Sequence, residues 1–430
     1  MLARALTACQ WILLSGCVPA SLYAMLAAVA MPFFAARRSG AASVAHAASA
    51  AARTAHLQHP FAHIGVSVLK PLCGAEPRLY ENLRTFCDQR HGHFQLVLGV
   101  SSPDDAAIAV VRRLQAAFPM RDIELAVDTR VHGSNLKVSN LINMAERARH
   151  DVIVIADSDI AVEVDYLDSV AAPLADPRVG VVTCLYVAQS VGGFWPRVGA
   201  LFINEWFAPS VRVAHAAGSQ RFGFGATLAL RRATLERIGG FEALKNCLAD
   251  DYWLAEHVRA LGLRTVLSRV MVATDVIEPT FSALWQRETR WLRTIRSVSP
   301  RGFAFLFVTF PTPWLLAGAW LTSRLANGPI DGVHLWAALA SGVSTVAGFA
   351  ARMLLHARAA RHERTFWRDL PLVPLRDTLL ACQWFAGAFG SHVTWRGARV
   401  PVGAPSSAPT PTTHGAALDA MDVMETSDGG

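Results

Sequence analysis

The sequence predicts an α/β domain built on a mostly parallel sheet, flanked by N-terminal and C-terminal transmembrane helices. Three observations predict it. Short valine-rich runs alternate with helical patterns from residue 65 to residue 184. Long uncharged apolar runs lie near the start and in the last third of the chain. Acidic clusters follow the apolar runs directly, where an open α/β sheet binds its ligands.

Residues 65–69, 94–100, 123–127, 151–156 and 179–184 are short runs rich in Val, Ile and Leu, a strand signal. Helical patterns at 77–88, 104–118 and 136–148 separate them. Strand–helix units of this length imply parallel strands with helices on both faces.

The chain has 430 residues, 52% of them hydrophobic, and a mean hydropathy of +0.30. Local runs carry that excess. Residues 11–34 and 303–322 contain no charge and are long enough to span a bilayer. Residues 333–355 are interrupted only by His334 and Arg352, near the ends, where either can snorkel. Residues 379–393 are shorter and carry His392, so a span, a re-entrant segment and an interfacial one all stay open. The start resembles a signal peptide, with Arg4 ahead of an apolar run and a lipoprotein-like site at 14–17. The run continues to Phe34 and ends at Arg37-Arg38, so an uncleaved anchor is expected, cleavage being the alternative.

Basic residues set the orientation. Arg37, Arg38 and Arg53 follow the first span, and Arg358, Arg361, Arg364 and Arg368 follow the third, whereas 324–331 is nearly neutral. The expectation is a multi-pass protein of the inner (cytoplasmic) membrane with a cytosolic catalytic domain. The segments read as an anchor (1–37), an Ala/Ser-rich linker (38–59), the α/β domain (60–280), an amphipathic interfacial helix (281–300), a C-terminal transmembrane region (301–397) and a disordered tail (398–430). Seven cysteines without a Cys-x-x-Cys pair support neither a zinc site nor a disulfide framework, and free thiols suit a reducing cytosol. The net charge of +7 gathers near the membrane segments. The partner this implies is the anionic lipid bilayer, not nucleic acid.

Four clusters carry chemistry. Asp104-Asp105 follows the second strand, as a helix cap or as a nucleotide contact. Asp157-Ser158-Asp159 follows the fourth strand, as solvated turn residues or as hard oxygen ligands for Mg2+ or Mn2+ with phosphate. Asp250-Asp251 opens a helical pattern running to Leu261, again as caps, or with one as a general base. Arg287, Arg290 and Arg293 recur at helical spacing among Trp285, Trp291, Leu292 and Ile295. That stretch reads as a membrane-surface helix whose guanidinium forks also suit diphosphate oxygens. Small residues at Gly223 and Gly225 allow close backbone approach to a sugar or mark a bend in a strand. Lys137 reads as a phosphate contact or an ordinary surface lysine.

With these residues assembled, the chain resembles the ceramide glucosyltransferase family of inverting glycosyltransferases, and most of all its bacterial branch associated with hopanoid biosynthesis. The resemblance runs over residues 66–301 and returns at Arg376-Asp377 and at 394–397. It rests on three aspartate motifs and a final (Gln/Arg)-x-x-Arg-Trp motif, matched in order. It implies a GT-A, Rossmann-like, nucleotide-diphospho-sugar transferase domain. It assigns nucleotide binding to Asp104 and Asp105, and the metal and sugar-diphosphate site to Asp157 and Asp159, with Asp159 as metal ligand together with Asp157. It makes Asp251 the base, with Asp250 beside it in the donor site. It gives Arg287, Arg290 and Trp291 diphosphate binding and closure of the acceptor site, and places Lys137 beside the donor. The family's usual Glu-Asp is Asp250-Asp251 here, so either carboxylate can be argued as base, with register favouring Asp251. The activity implied is that of an inverting hexosyltransferase. It would move N-acetylglucosamine from a UDP-sugar donor to a membrane lipid acceptor, a hydroxyl of a hopanoid of bacteriohopanetetrol type. Ceramide with UDP-glucose is the alternative. Few spans and Arg287 in place of glutamine disfavour a processive polysaccharide synthase. Intact acids in all three motifs disfavour a non-catalytic membrane scaffold.

Overall fold

The computed structural model describes residues 2–31, 64–327, 332–360, 363–390, 392–395 and 398–401. The expected linker at 38–59 and the tail beyond 401 lie outside the described residues. An eight-stranded sheet has the order β3-β2-β1-β4-β7-β6-β8-β5. Strands β1 (Val66–Pro71), β2 (Phe94–Val100), β3 (Ile123–Val127) and β4 (Val152–Ile155) are parallel. β1, β2 and β4 are buried along their whole length, which is why their sequences read as continuous apolar runs. Successive residues supply opposite layers. Val68, Leu98 and Val154 pack with Leu83, Phe86 and Val111 on one face. Leu69, Val97 and Ile153 pack with Val138, Leu141 and Met144 on the other.

The second half of the sheet is mixed. β5 (Ile160–Ala161) runs antiparallel to β8 (Arg264–Val276), and β7 (Leu228–Arg231) is antiparallel to both of its neighbours, β4 and β6 (Val179–Ser190). β6 and β8 are parallel. The sequence reading had no strand at 264–276. That strand is partly exposed and carries Arg264, Ser268 and Arg269, so its periodicity is blurred.

A helical stretch after β6 joins the sheet to the membrane helices. It runs through Phe194–Phe202, a π-helical turn at Ile203–Phe207, and Ala208–Ala216. The Asn204 side chain pairs with both backbone groups of Ala188, at 2.7 and 3.1 Å, as a neighbouring strand residue would.

The helices Leu2–Ala30 and Gly332–Ala359 are long and apolar enough to cross a membrane. They turn Ile12, Leu22, Val29, Trp336, Val343 and Val346 outward, an apolar surface that a bilayer would cover. The straight span expected at 303–322 is instead a pair, Pro300–Thr309 and Pro311–Ala326, bent by 53°. Pro311 removes a backbone donor and disfavours helical geometry at Phe310, whose φ and ψ are −104° and 83°. Only if that pair is one span does the count reach three. The fourth segment forms a helix earlier than expected, Leu372–Gly387, of 16 residues. That is short of the roughly 20 residues a bilayer requires. Its buried Arg376, Asp377 and Gln383 make polar contacts with neighbouring helices. Ala398–Pro401, read as the start of the tail, pairs as a strand with His392–Trp395.

Candidate active site

The carboxyl ends of β1 and β4 open a crevice. Ala156 donates its backbone N–H to Leu69 there, and the chain then turns through Asp157-Ser158-Asp159. Asn135 caps the helix Leu136–Ala145 by accepting from Val138, and its amide also donates to the Cys247 carbonyl and to Asp250. That one side chain fixes the helix carrying Lys137 against the loop carrying Asp250. Lys137 is mostly buried, with its ammonium 2.7 Å from Asp157 and 3.4 Å from Asp250. The surface-lysine reading is set aside. Burial alone would lower the Lys137 pKa, but Asp157, Asp250 and Asp251 together outweigh it and hold the ammonium protonated.

The glycines flanking Phe224 close the arrangement. The Gly225 N–H donates to Asp251 at 2.9 Å, while its carbonyl accepts from Asp157 N–H at 3.2 Å. A Cβ at Gly225 would come within 2.7 Å of an Asp157 carboxylate oxygen, and one at Gly223 within 2.5 Å of the Asp251 carbonyl. Both glycines are therefore sites of close approach. Asp251 opens the helix Asp250–Ala260. Burial, then repulsion by Asp250, raises its pKa to about 6, against the pull of Lys137. A carboxylate so tuned is a competent base near neutral pH.

Asp159 accepts from the Thr274 hydroxyl of β8 at 2.6 Å. Burial, then the charge of Asp157, raises Asp159 to about 7. Beneath it, Lys70 is fully buried, donating to the carbonyls of Asp157 and Ile160 with its ammonium 3.8 Å from the Phe86 ring centroid. Burial lowers Lys70 to about 7, even with Asp159, Asp157 and Glu76 acting to raise it. Among the described residues no three acidic, His or Cys side chains form a ready metal cage. Mg2+ and Mn2+ do not need one, because they bind through one or two carboxylates and complete their shell with phosphate and water. The mutual repulsion among Asp157, Asp159 and Glu76 is the kind a divalent cation relieves, so the donor set fits.

Arg287 lies on the helix Phe281–Val298. One guanidinium nitrogen donates to Glu278 at 2.6 Å, and the group lies 5.0 Å from the Trp291 ring centroid. Its Nε and other terminal nitrogen are buried without a hydrogen-bond partner among the described residues. That terminal nitrogen faces the Glu288 carboxylate at 3.8 Å, an ion pair too long for a hydrogen bond, so both groups keep unused hydrogen-bonding capacity that an anionic ligand could draw on at the arginine. Trp291 packs on Phe202. Between Arg287 and Trp291, Glu288 is wholly buried and accepts from Arg376 and Gln383, so the motif helix is bolted to Leu372–Gly387. The backbone carbonyl of Arg290 accepts from the Thr294 hydroxyl at 3.0 Å.

The structure thus brings Asp157, Asp250, Asp251 and Lys137 into one crevice, with Asp159 on the same turn as Asp157, while Arg287 makes its contacts with Glu278, Glu288 and Trp291. Asp104 and Asp105 lie at the end of β2. Asp105 accepts from the N–H groups of Gly74 and Ala107, bracing the loop after β1, and Asp104 is exposed. Sequence reasoning missed Lys70, Thr274, Asn135 and Tyr186. A lysine ending a buried valine-rich strand was the one available signal, at Lys70.

The fold and the crevice together define a GT-A-like sheet joined to membrane helices, with paired aspartates at its ligand-binding edge. The chain belongs to glycosyl transferase family 21, whose model matches residues 21–407. It is similar to ceramide glucosyltransferase 1 of Caenorhabditis elegans, 26% identical over 55% of this chain and 51% of that one. It is similar also to ceramide glucosyltransferase 3 of the same organism, 25% identical over 53% and 50% of the two chains. The chain spans about half the length of these curated relatives. Among solved structures, it is similar to a mannosyltransferase of Pyrobaculum calidifontis in complex with GDP-Man and Mn2+. That match is 19% identical, covers 82% of this chain and 98% of that one, and has a TM-score of 0.43.

Proposed function

We propose that this chain transfers a hexose from a UDP-sugar to a hydroxyl of a membrane lipid, with inversion at the anomeric carbon. The observation that carries the reading is the crevice itself. A carboxylate raised to about 6, Asp251, shares it with Lys137 and the Asp157–Asp159 pair. Asp251 takes the proton of the acceptor hydroxyl, whose oxygen attacks the anomeric carbon from the side opposite UDP. The new oxygen–carbon bond forms as the bond to the diphosphate breaks, so one base suffices, unlike the two-carboxylate arrangement of glycoside hydrolases. Mg2+ or Mn2+, held by Asp159 with Asp157, would neutralise charge on the departing diphosphate. Arg287 and Arg290 bind diphosphate oxygens, Trp291 closes the acceptor side, and Lys137 and Asp250 orient the donor. Asp104 and Asp105 contact the nucleotide. The catalytic unit is residues 60–280, cytosolic at the inner membrane.

The acceptor is a hopanoid polyol of bacteriohopanetetrol type and the sugar N-acetylglucosamine, on the resemblance of the motifs to the bacterial branch. Ceramide with UDP-glucose is the second reading, favoured by the names of the two nematode relatives. Mass spectrometry of lipids from cells with and without the protein tests both. A hexosamine-bearing hopanoid that disappears with the protein supports the first reading, a lost hexosyl ceramide supports the second, and an unchanged lipid profile overturns both.

A further inference from the structure

Tyr186 belongs to none of the aspartate or arginine motifs, yet its ring meets Phe224, the neighbour of the glycine that donates to Asp251. No hydrogen bond from its hydroxyl occurs among the described residues, although its ring is firmly packed. The ring stacks on Phe207 at 4.8 Å between centroids and meets Phe224 edge-on at 6.1 Å; Phe207 and Phe224 meet at 5.4 Å. Phe224 adjoins Gly225, whose N–H holds Asp251, and its own N–H donates to Thr183 of β6. Phe207 ends the π-helical turn. With Phe222 and Phe224 it joins an apolar cluster that includes Ala24, Ala27 and Met31 of the first membrane helix and Leu355 of the long C-terminal one. An aromatic wall therefore runs from the membrane helices to Asp251.

The Tyr186 hydroxyl is the polar end of that wall. Burial, then the charges of Asp251 and Asp159, raise its pKa, so it stays neutral and is no base. A neutral phenol suits a neutral polar group of the ligand, and it can both donate and accept. The apolar rings next to it suit a hydrocarbon body.

We propose that Tyr186, Phe207 and Phe224 form the acceptor's landing wall, the rings taking the lipid body and the Tyr186 hydroxyl binding a second hydroxyl next to the one that reacts. This rests on the reading of Asp251 as base and deepens it: Tyr186 is the residue that selects vicinal diols or polyols over simple alcohols.

The test compares wild type and Tyr186→Phe on two acceptors in detergent micelles, a hopanoid tetrol and a hopanoid with one terminal hydroxyl, both with UDP-N-acetylglucosamine. The phenylalanine keeps the aromatic wall and removes one neutral hydrogen bond, worth about 10-fold in kcat/KM at most. The expected result is a loss of about that size for the tetrol, less than 2-fold for the single alcohol, and an unchanged KM for the donor. Equal losses on both acceptors, or none on either, would overturn the proposal while leaving the transferase reading intact. If the wild type glycosylates neither acceptor yet still binds UDP, the choice of acceptor in the transferase reading fails, and this inference falls with it.

Discussion

Asp251 pays for its proton affinity with burial. Loss of water raises its pKa most and the neighbouring Asp250 next, with Lys137 pulling the other way. The working form is the ionised carboxylate, which predominates above about pH 6. The rate of transfer should therefore fall as pH drops through that value, roughly tenfold per unit below it, in a profile of kcat/KM at saturating acceptor. A flat profile between pH 5 and 7 would assign the base elsewhere. The sign for stability is opposite. A carboxyl whose folded pKa lies above its unfolded value stabilises the fold only at low pH, and that contribution is lost as pH rises through about 6. The proposed role of Asp251 as base would account for a burial that costs some stability, since shifted pKa values cluster at functional sites.

The helices that flank the crevice are tied together by buried charge. Arg352, on the long C-terminal helix, binds Asp377 with two nitrogens at 3.0 Å and Glu205 with a third at 2.6 Å. His356 joins Glu205 at 2.6 Å, and Asp377 accepts from the Thr312 hydroxyl at 2.7 Å. Glu205 can reach Arg352 while Asn204 reaches β6 because both lie in the π-helical turn, which offsets successive side chains from ordinary helical spacing. Polar groups inside a membrane region persist only when paired. Arg352→Met leaves the buried Asp377 carboxylate without its cation and Glu205 with His356 alone, and it should cost about 3–5 kcal/mol of unfolding free energy, read by denaturant titration in detergent. A change under 1 kcal/mol would mean the network is solvated and holds nothing. Part of this was legible in the sequence. The apolar strands β1, β2 and β4 are buried on both faces, so composition alone marked them, and the acids after β4 fell where such sheets bind ligands. The network was not legible. Glu205, Arg352 and Asp377 come from three distant stretches, and their pairing depends on a turn type with no signature. Nor does a run such as 303–322 announce its bend, except through the proline at 311.

For the molecule as a whole, the crevice opens beside helices that expose apolar side chains to the bilayer, so donor and acceptor would reach Asp251 from different phases. By the positive-inside rule, the basic residues beyond the spans predict that the crevice faces the cytosol. Cys73 is exposed just past β1. In a variant keeping it as the sole cysteine, a membrane-impermeant maleimide should label inverted membrane vesicles and spare intact spheroplasts; the reverse pattern would place the sheet outside. The convergence at the sheet edge was legible as separate motifs, because each acid pair follows its own strand or opens its own helix. What joins them, Lys137 between Asp157 and Asp250 and Gly225 between Asp157 and Asp251, needed three dimensions. One experiment bears on that convergence above all others: purified Asp251→Asn beside wild type, with UDP binding by calorimetry and sugar transfer to a hopanoid tetrol measured on the same preparations. The Asn oxygen can still accept from Gly225, so UDP should bind within about 2-fold of wild type while transfer falls by roughly 100- to 10,000-fold. Normal transfer by the variant would contradict the assignment.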